Sequence, residues 1–193
     1  MTHDEKFLKY EDLLCEWSGR MNLVAPSTLG NIRERHINDS IQTIGFIDKD
    51  SRVIDLGSGA GFPAAVLAIK GLEVFAIESI GKKCAFLNEL KSRLDLPNLT
   101  VMNDRIENTV KRITDNGKLI TITARAFASL EKILDMTFGI PADYVLLKGE
   151  RAMDEIKAAQ TKYKFDYELI PSVTGPGFVL IVKNVKKAGK RKE

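Results

Sequence analysis

Cysteine and histidine are scarce, two of each in 193 residues, and that scarcity excludes several classes of protein. Cys15 and Cys84 stand far apart in helix-like stretches without the C-x-x-C spacing of a zinc or redox pair, so free buried thiols are expected, and no metal. No run of about 18 or more apolar residues is present to span a bilayer. The opening Met1-Thr-His-Asp-Glu-Lys6 lacks the apolar stretch of a secretory signal, so a soluble, cytoplasmic protein without a membrane partner is expected. A strong charge of one sign is also missing. The formal net charge of +3 and pI near 8.8 permit a nucleic-acid partner without demanding one. No internal repeat or low-complexity stretch precedes the ending Lys183-Asn-Val-Lys-Lys-Ala-Gly-Lys-Arg-Lys-Glu193. Its clustered cations suit phosphate neutralisation, or else a solvated, frayed terminus.

What is present is an apolar content of 44%, enough for one well-filled core and short of two enzyme domains. The expected organisation is an N-terminal helical extension over 1–47, an α/β domain over 48–185 and a basic tail over 186–193. Phe7, Leu8, Leu13, Leu14 and Trp17 share one face of a helix over about 4–20, and a second helix is expected over 28–44, capped by Ser27 or Thr28. Beyond Asp50, short apolar runs at 52–56, 73–78, 99–102, 119–123 and 143–147 alternate with amphipathic stretches at 63–70, 82–94, 106–113, 130–138 and 153–163. That alternation predicts parallel strands with helices on both faces, a doubly wound sheet that binds ligands outside the carboxyl ends of its strands. The runs 164–171 and 178–182, joined through Thr174-Gly-Pro-Gly177 with no helix between, predict a hairpin adding one antiparallel strand.

The first strand leads into Asp55-Leu-Gly57-Ser-Gly59-Ala-Gly61-Phe62-Pro63. Glycine lets a backbone turn tightly and approach a ligand. Twenty-one residues after Gly57 the second strand ends in Glu78, where a carboxylate can accept from both ribose hydroxyls of an adenosine. Gly57, Gly59 and Glu78 thus read as a nucleoside site. A dinucleotide fold wants G-x-G-x-x-G, and the third glycine position holds Phe62. The G-x-G-x-G loop led by Asp55 resembles instead the S-adenosylmethionine loop of class I, Rossmann-like methyltransferases.

Further segments resemble one family, the glucose-inhibited-division-B type guanine-N7 methyltransferases of bacterial small-subunit ribosomal RNA. They are Trp17 with Met21-Asn22-Leu23, Arg35-His36 with Asp39-Ser40, the glycine loop itself, and Glu78-Ser79-Ile-Gly81-Lys82-Lys83 before Phe86-Leu87. Arg105-Ile106-Glu107, Arg125-Ala-Phe-Ala-Ser-Leu130 and Leu147-Lys148-Gly149 continue the match in order along nearly the whole chain. Two places depart from the family pattern, Ala64-Ala65-Val66 after Pro63 and Ala124 before Arg125, and both leave the local loop shape less fixed.

The resemblance implies a class I methyltransferase fold with S-adenosylmethionine as cofactor, held by Gly57, Phe62, Ile106, Glu107 and Arg125. Gly57 would give backbone access to the methionine end, Phe62 would wall the pocket, and Ile106 with Glu107 would lie beside the adenine. Arg125, at the rim after the fourth strand, would position donor and target. The bland alternatives are a surface arginine and a helix-start acid favoured by the dipole. The implied partner is 16S ribosomal RNA or the small ribosomal subunit, acted on by a monomer. His36, Lys148, Lys187, Lys190 and Arg191 are the candidate RNA contacts, with His36, Asp39 and Ser40 equally suited to packing and capping.

Guanine N7 carries an in-plane lone pair and no proton, so it needs no general base, which accords with a chain so poor in histidine and cysteine. Cytosine-C5 chemistry wants a cysteine nucleophile, and adenine-N6 enzymes usually carry an Asn/Asp-Pro-Pro-aromatic run where this chain has Ala124-Arg-Ala-Phe-Ala-Ser129. N7 lies in the deep, narrow groove of A-form RNA, so an unpaired or extruded base is the expected target, with Phe127 or Phe62 available to stack on it. The rival readings are a class I methyltransferase acting on another RNA or a small molecule, and a non-catalytic RNA-binding assembly factor.

Overall fold

In the computed structural model, residues 1–113 and 117–189 are described. The chain opens with α1 (His3–Ser18), started by a capping box in which the Thr2 hydroxyl accepts from Glu5 N–H and the Glu5 carboxylate accepts from Thr2 N–H. Phe7, Tyr10, Leu13 and Leu14 form its buried face, whereas Leu8 is exposed: the true stripe includes Tyr10. Cys15 lies on the outer side of α1, so of the two thiols expected to be buried only Cys84 is. The helix expected over 28–44 is broken. A 3-10 stretch (Pro26–Asn31) leads to a π-helical turn (Arg33–Asn38), a single α turn, α2 (Asp39–Ile41), and a second 3-10 stretch (Gln42–Phe46). The wider π turn brings the Arg35 carbonyl, His36 and Asp39 to one side, a distortion that recurs at functional sites.

The alternation then unfolds as expected: β1 (Arg52–Leu56), α3 (Ala64–Ile69), β2 (Glu73–Glu78), α4 (Gly81–Arg93), β3 (Leu99–Asn103), α5 (Ile106–Ile113), β4 (Ile120–Arg125), α6 (Leu130–Thr137), β5 (Ala142–Lys148) and α7 (Ala152–Gln160). The hairpin β6 (Tyr163–Pro171) and β7 (Phe178–Lys187) completes a sheet of order β3-β2-β1-β4-β5-β7-β6, with β7 antiparallel to both neighbours. β7 extends through Lys187, so Lys186 and Lys187, expected in the tail, pair with Lys164 and Tyr163.

Side chains alternate across the strands and so face two cores. Val53, Val145, Leu147 and Val179 pack with α1, α3 and α4, while Ile54, Leu56, Tyr144, Leu146 and Leu180 pack with α6 and α7. All six residues of α3 are buried, because the helix is wedged between sheet and α1. The strand order reverses between β1 and β4, where an open α/β sheet leaves a crevice at its carboxyl edge.

Candidate active site

The glycine loop leaves β1 at that switch point, with φ of 68°, 55° and 91° at Gly57, Gly59 and Gly61. At Gly57 sterics add to the backbone requirement, since a Cβ there would collide with the ring of Phe127. At Gly61 a Cβ would stand 2.7 Å from the Tyr10 hydroxyl. That hydroxyl donates to the Ala60 carbonyl at 2.5 Å, so α1 braces the loop from below, and burial pushes the phenol well above its ordinary pKa.

Glu78, last residue of β2, is buried, and its two oxygens accept from Gly59 N–H at 2.9 Å and Ile80 N–H at 2.8 Å. A carboxylate offers about four acceptor positions, so both oxygens retain capacity for a ribose hydroxyl. Asp55 is buried too. Its Oδ1 accepts from Thr123 Oγ1 at 2.9 Å, while Oδ2 has no partner among the described residues. Burial pushes its carboxyl up to about 6. The end of β3 is tied in through the Asn103 amide, which donates to the Glu78 carbonyl, and beyond it Ile106 is buried and Glu107 exposed at the start of α5.

Phe62 is stacked between Tyr10 and His36, each ring centroid 5.0 Å away, and is only 6% exposed. His36 Nε2 meets Thr28 Oγ1 at 2.8 Å, and because that hydroxyl gives its own proton to the Ala25 carbonyl, it must accept from Nε2–H. Nδ1 is left to accept from Arg125 Nη1 at 2.8 Å. The imidazole is therefore neutral with its proton on Nε2, and burial, reinforced by the Arg125 charge, lowers its pKa to about 4. His36, a candidate RNA contact by sequence, is instead a buried brace with both nitrogens committed.

Arg125 ends β4. Its Nε pairs with Asp39 Oδ2 at 2.9 Å and Nη2 donates to the Arg35 carbonyl at 2.8 Å. Three of the five guanidinium N–H groups thus hold the N-terminal segment, leaving two for a ligand. Ala126 takes a left-handed φ of 49°, and the next residue, Phe127, lays its ring on Gly57. Such a φ at a non-glycine residue persists only where the surroundings enforce it.

Beside Phe127 opens a cavity of about 430 Å³ between the ends of β4 and β5 and the turn that joins β6 to β7. Arg35, Asp39, Arg125, Lys148, Glu155 and Thr174 supply its polar groups. Lys148, expected to touch RNA, stands largely buried in the wall of this cavity, where its ammonium donates to the Ala128 carbonyl and Glu155 Oε2, both at 2.7 Å. Lys187 is exposed, but β7 runs antiparallel, so Lys187 lies at the opposite edge of the sheet with its ammonium over the Phe138 ring. Lys190 and Arg191 lie outside the described residues.

The family model of rRNA small subunit methyltransferase G (GidB) matches residues 3–176. The chain belongs to this family. A Paramagnetospirillum magneticum protein called ribosomal RNA small subunit methyltransferase G is 39% identical over 189 residues, covering 95% of this chain and 89% of its own. One of the same name from Orientia tsutsugamushi is 42% identical over 173 residues, covering 88% and 84%. Among solved structures, an Aquifex aeolicus SAM-dependent methyltransferase shares the fold with a TM-score of 0.60 at 17% identity, over 82% of this chain and 93% of that one. A Streptococcus mutans protein solved with SAH does so with a TM-score of 0.53 at 19% identity, over 78% and 98%.

In this member of the rRNA small subunit methyltransferase G family, the structure gathers Gly57, Gly59, Glu78 and Arg125 at one edge, with Phe62 behind them. Tyr10 and Glu155 escape the sequence reading. Tyr10 has a local signal, the 7/10/14 helical spacing, whereas Glu155 has none, because only the docking of α7 brings it to β5.

Proposed function

We propose that the chain transfers the methyl group of S-adenosylmethionine to N7 of a guanine in 16S ribosomal RNA. Methyl transfer to small-subunit rRNA comes with the family, and S-adenosylmethionine is its cofactor. The observation that carries the N7 assignment is the chemistry of the cavity beside Phe127: among the described residues no cysteine or histidine lines it, its carboxylates Asp39 and Glu155 are paired with Arg125 and Lys148, and the nearby imidazole of His36 is neutral and fully committed. An acceptor that attacks the methyl group there without a base to deprotonate it brings its own lone pair, as guanine N7 does.

The residues present fit the cofactor. A left-handed glycine loop, a buried carboxylate at the end of β2 with lone pairs to spare, and the unpartnered buried Oδ2 of Asp55 make a polar cradle for a nucleoside carrying an ammonium group. When bound, S-adenosylmethionine supplies an electrophilic methyl group. Glu78 would accept from the ribose hydroxyls, Ile106 and Glu107 would flank the adenine, and the two spare N–H groups of Arg125 would hold a carboxylate or the guanine O6. Phe127, 37% exposed, is the ring free to stack on a base, since Phe62 is enclosed. Catalysis is then placement of donor and acceptor in a partly closed site, without a proton transfer. The same reading makes the enzyme a monomer that meets its ribosomal substrate in the cytoplasm.

The test is incubation of the protein with labelled S-adenosylmethionine and small ribosomal subunits lacking the modification, followed by chain-scission mapping of N7-methylguanine. Scission at a single guanine is expected. Label on another atom, or none on RNA, overturns the assignment.

A further inference from the structure

We propose that Glu155, backed by Lys148, reads the Watson–Crick edge of the target base and thereby selects guanine; the inference rests on the guanine-N7 reading above. The argument starts from the shape of the base. In a purine, N7 sits on the five-membered ring, and N1 with the 2-amino group lies at the far edge of the six-membered ring. A guanine whose N7 faces the glycine loop across Phe127 must send that far edge away from the loop, into the cavity lined by Glu155 and Lys148.

The two side chains are fixed in advance. Glu155 Oε2 accepts from Lys148 Nζ at 2.7 Å and from Leu130 N–H at 2.8 Å, at the start of α6. Oε1 has no partner among the described residues and is not sealed from the cavity. The Lys148 ammonium spends two of its three N–H groups on Ala128 and Glu155, leaving one. A free carboxylate oxygen beside a free ammonium N–H complements guanine, whose N1–H and 2-amino group donate and whose O6 accepts. Adenine reverses the pattern, with N1 accepting and the 6-amino group donating, so it would set a lone pair against the carboxylate and N–H against the ammonium. Acceptance of one purine and repulsion of the other come from the same two residues.

The test uses the full-length protein and small subunits reconstituted with ligated rRNA that carries inosine in place of the guanine mapped by chain scission. Inosine keeps N7, O6 and N1–H and lacks only the 2-amino group. The parental enzyme should methylate inosine RNA with kcat/KM lower by roughly tenfold or more, the usual scale of one base-edge contact. Glu155→Gln should lose activity on guanine RNA through kcat/KM, narrow the guanine-to-inosine ratio toward one and leave SAH affinity unchanged. Equal rates of the parental enzyme on both RNAs would overturn the proposal even if Glu155→Gln failed to fold. So would an unaltered ratio in a folded Glu155→Gln protein. Failure of the guanine-N7 reading itself shows separately, as absence of scission with guanine RNA.

Discussion

Arg125→Ala removes a side chain that ties β4 to the N-terminal segment, and its cost can be worked from the contacts. The Arg125–Asp39 pair is 2.9 Å long with side chains 22% and 16% exposed, so it is largely desolvated. At an effective dielectric of about 20, charges some 4 Å apart attract by about 4 kcal/mol, and desolvation takes back part of this. Losing the two further hydrogen bonds, to His36 Nδ1 and the Arg35 carbonyl, costs about 1 kcal/mol each before water refills the gap. A net loss of about 3 kcal/mol is expected, or roughly 6–12 °C in Tm for a chain of this size. Asp39→Asn should cost less, and the double mutant should lose at least about 1 kcal/mol less than the sum, because the two residues share one contact. In single-turnover transfer to unmodified small subunits, Arg125→Ala should be slower by roughly 100-fold, and Arg125→Lys should recover little, because an ammonium cannot meet three acceptors arranged around a planar fork. The assays are thermal melting, SAH calorimetry and single-turnover labelling. Melting within about 2 °C of the parent, or strictly additive mutations, would refute the bracing role; a parental transfer rate in a folded variant would remove Arg125 from the site.

Glu78→Ala should weaken SAH binding by roughly 1–3 kcal/mol and also lower Tm, because Gly59 and Ile80 lose the acceptor of their N–H groups; calorimetry showing parental affinity would place the ribose elsewhere. Tyr10→Phe, which removes only the donor to the Ala60 carbonyl, should cost about 1 kcal/mol of stability and weaken SAH binding although the residue touches no ligand; an unchanged affinity would deny that α1 sets the loop. Stability should respond to pH in two opposed ways. His36, lowered to about 4 in the fold, contributes stability that is present above the ordinary histidine pKa and lost as pH falls toward 4; Asp55, raised to about 6, contributes stability present at low pH and lost as pH rises toward 6. Asp55→Asn should leave only the histidine slope in urea titrations taken from pH 4 to 7, and a profile identical to the parent would contradict the burial of its charge.

The parallel strands are legible in the sequence because strands covered on both faces read as continuous apolar runs, and Arg52–Leu56 is buried at every position. The glycine loop and Glu78 are legible for a related reason: a tight turn and a strand-end acid leave local marks. The segment after Pro26 is not. Its periodicity favours one helix, but contacts with Arg125, nearly ninety residues away, reward a π turn that periodicity cannot foresee. Cationic residues mislead in the same manner. Nothing local to Lys148 shows the ion pair that α7 makes by placing Glu155 beside it, and Lys187 looks like tail until β6 pairs with it.

Asp39 has a consequence for how the protein comes into being. One of its oxygens accepts from Thr174 Oγ1 and Gln42 Nε2, both at 2.8 Å, and the other meets Arg125. A single carboxylate therefore closes a loop of 135 residues, joining the start of the chain to its last hairpin. Closing so long a loop is slow and must precede any reward from the contacts it makes. A chain still being synthesised can hold the glycine loop, Glu78 and Arg125 and yet lack an assembled site until the turn after β6 has left the ribosome.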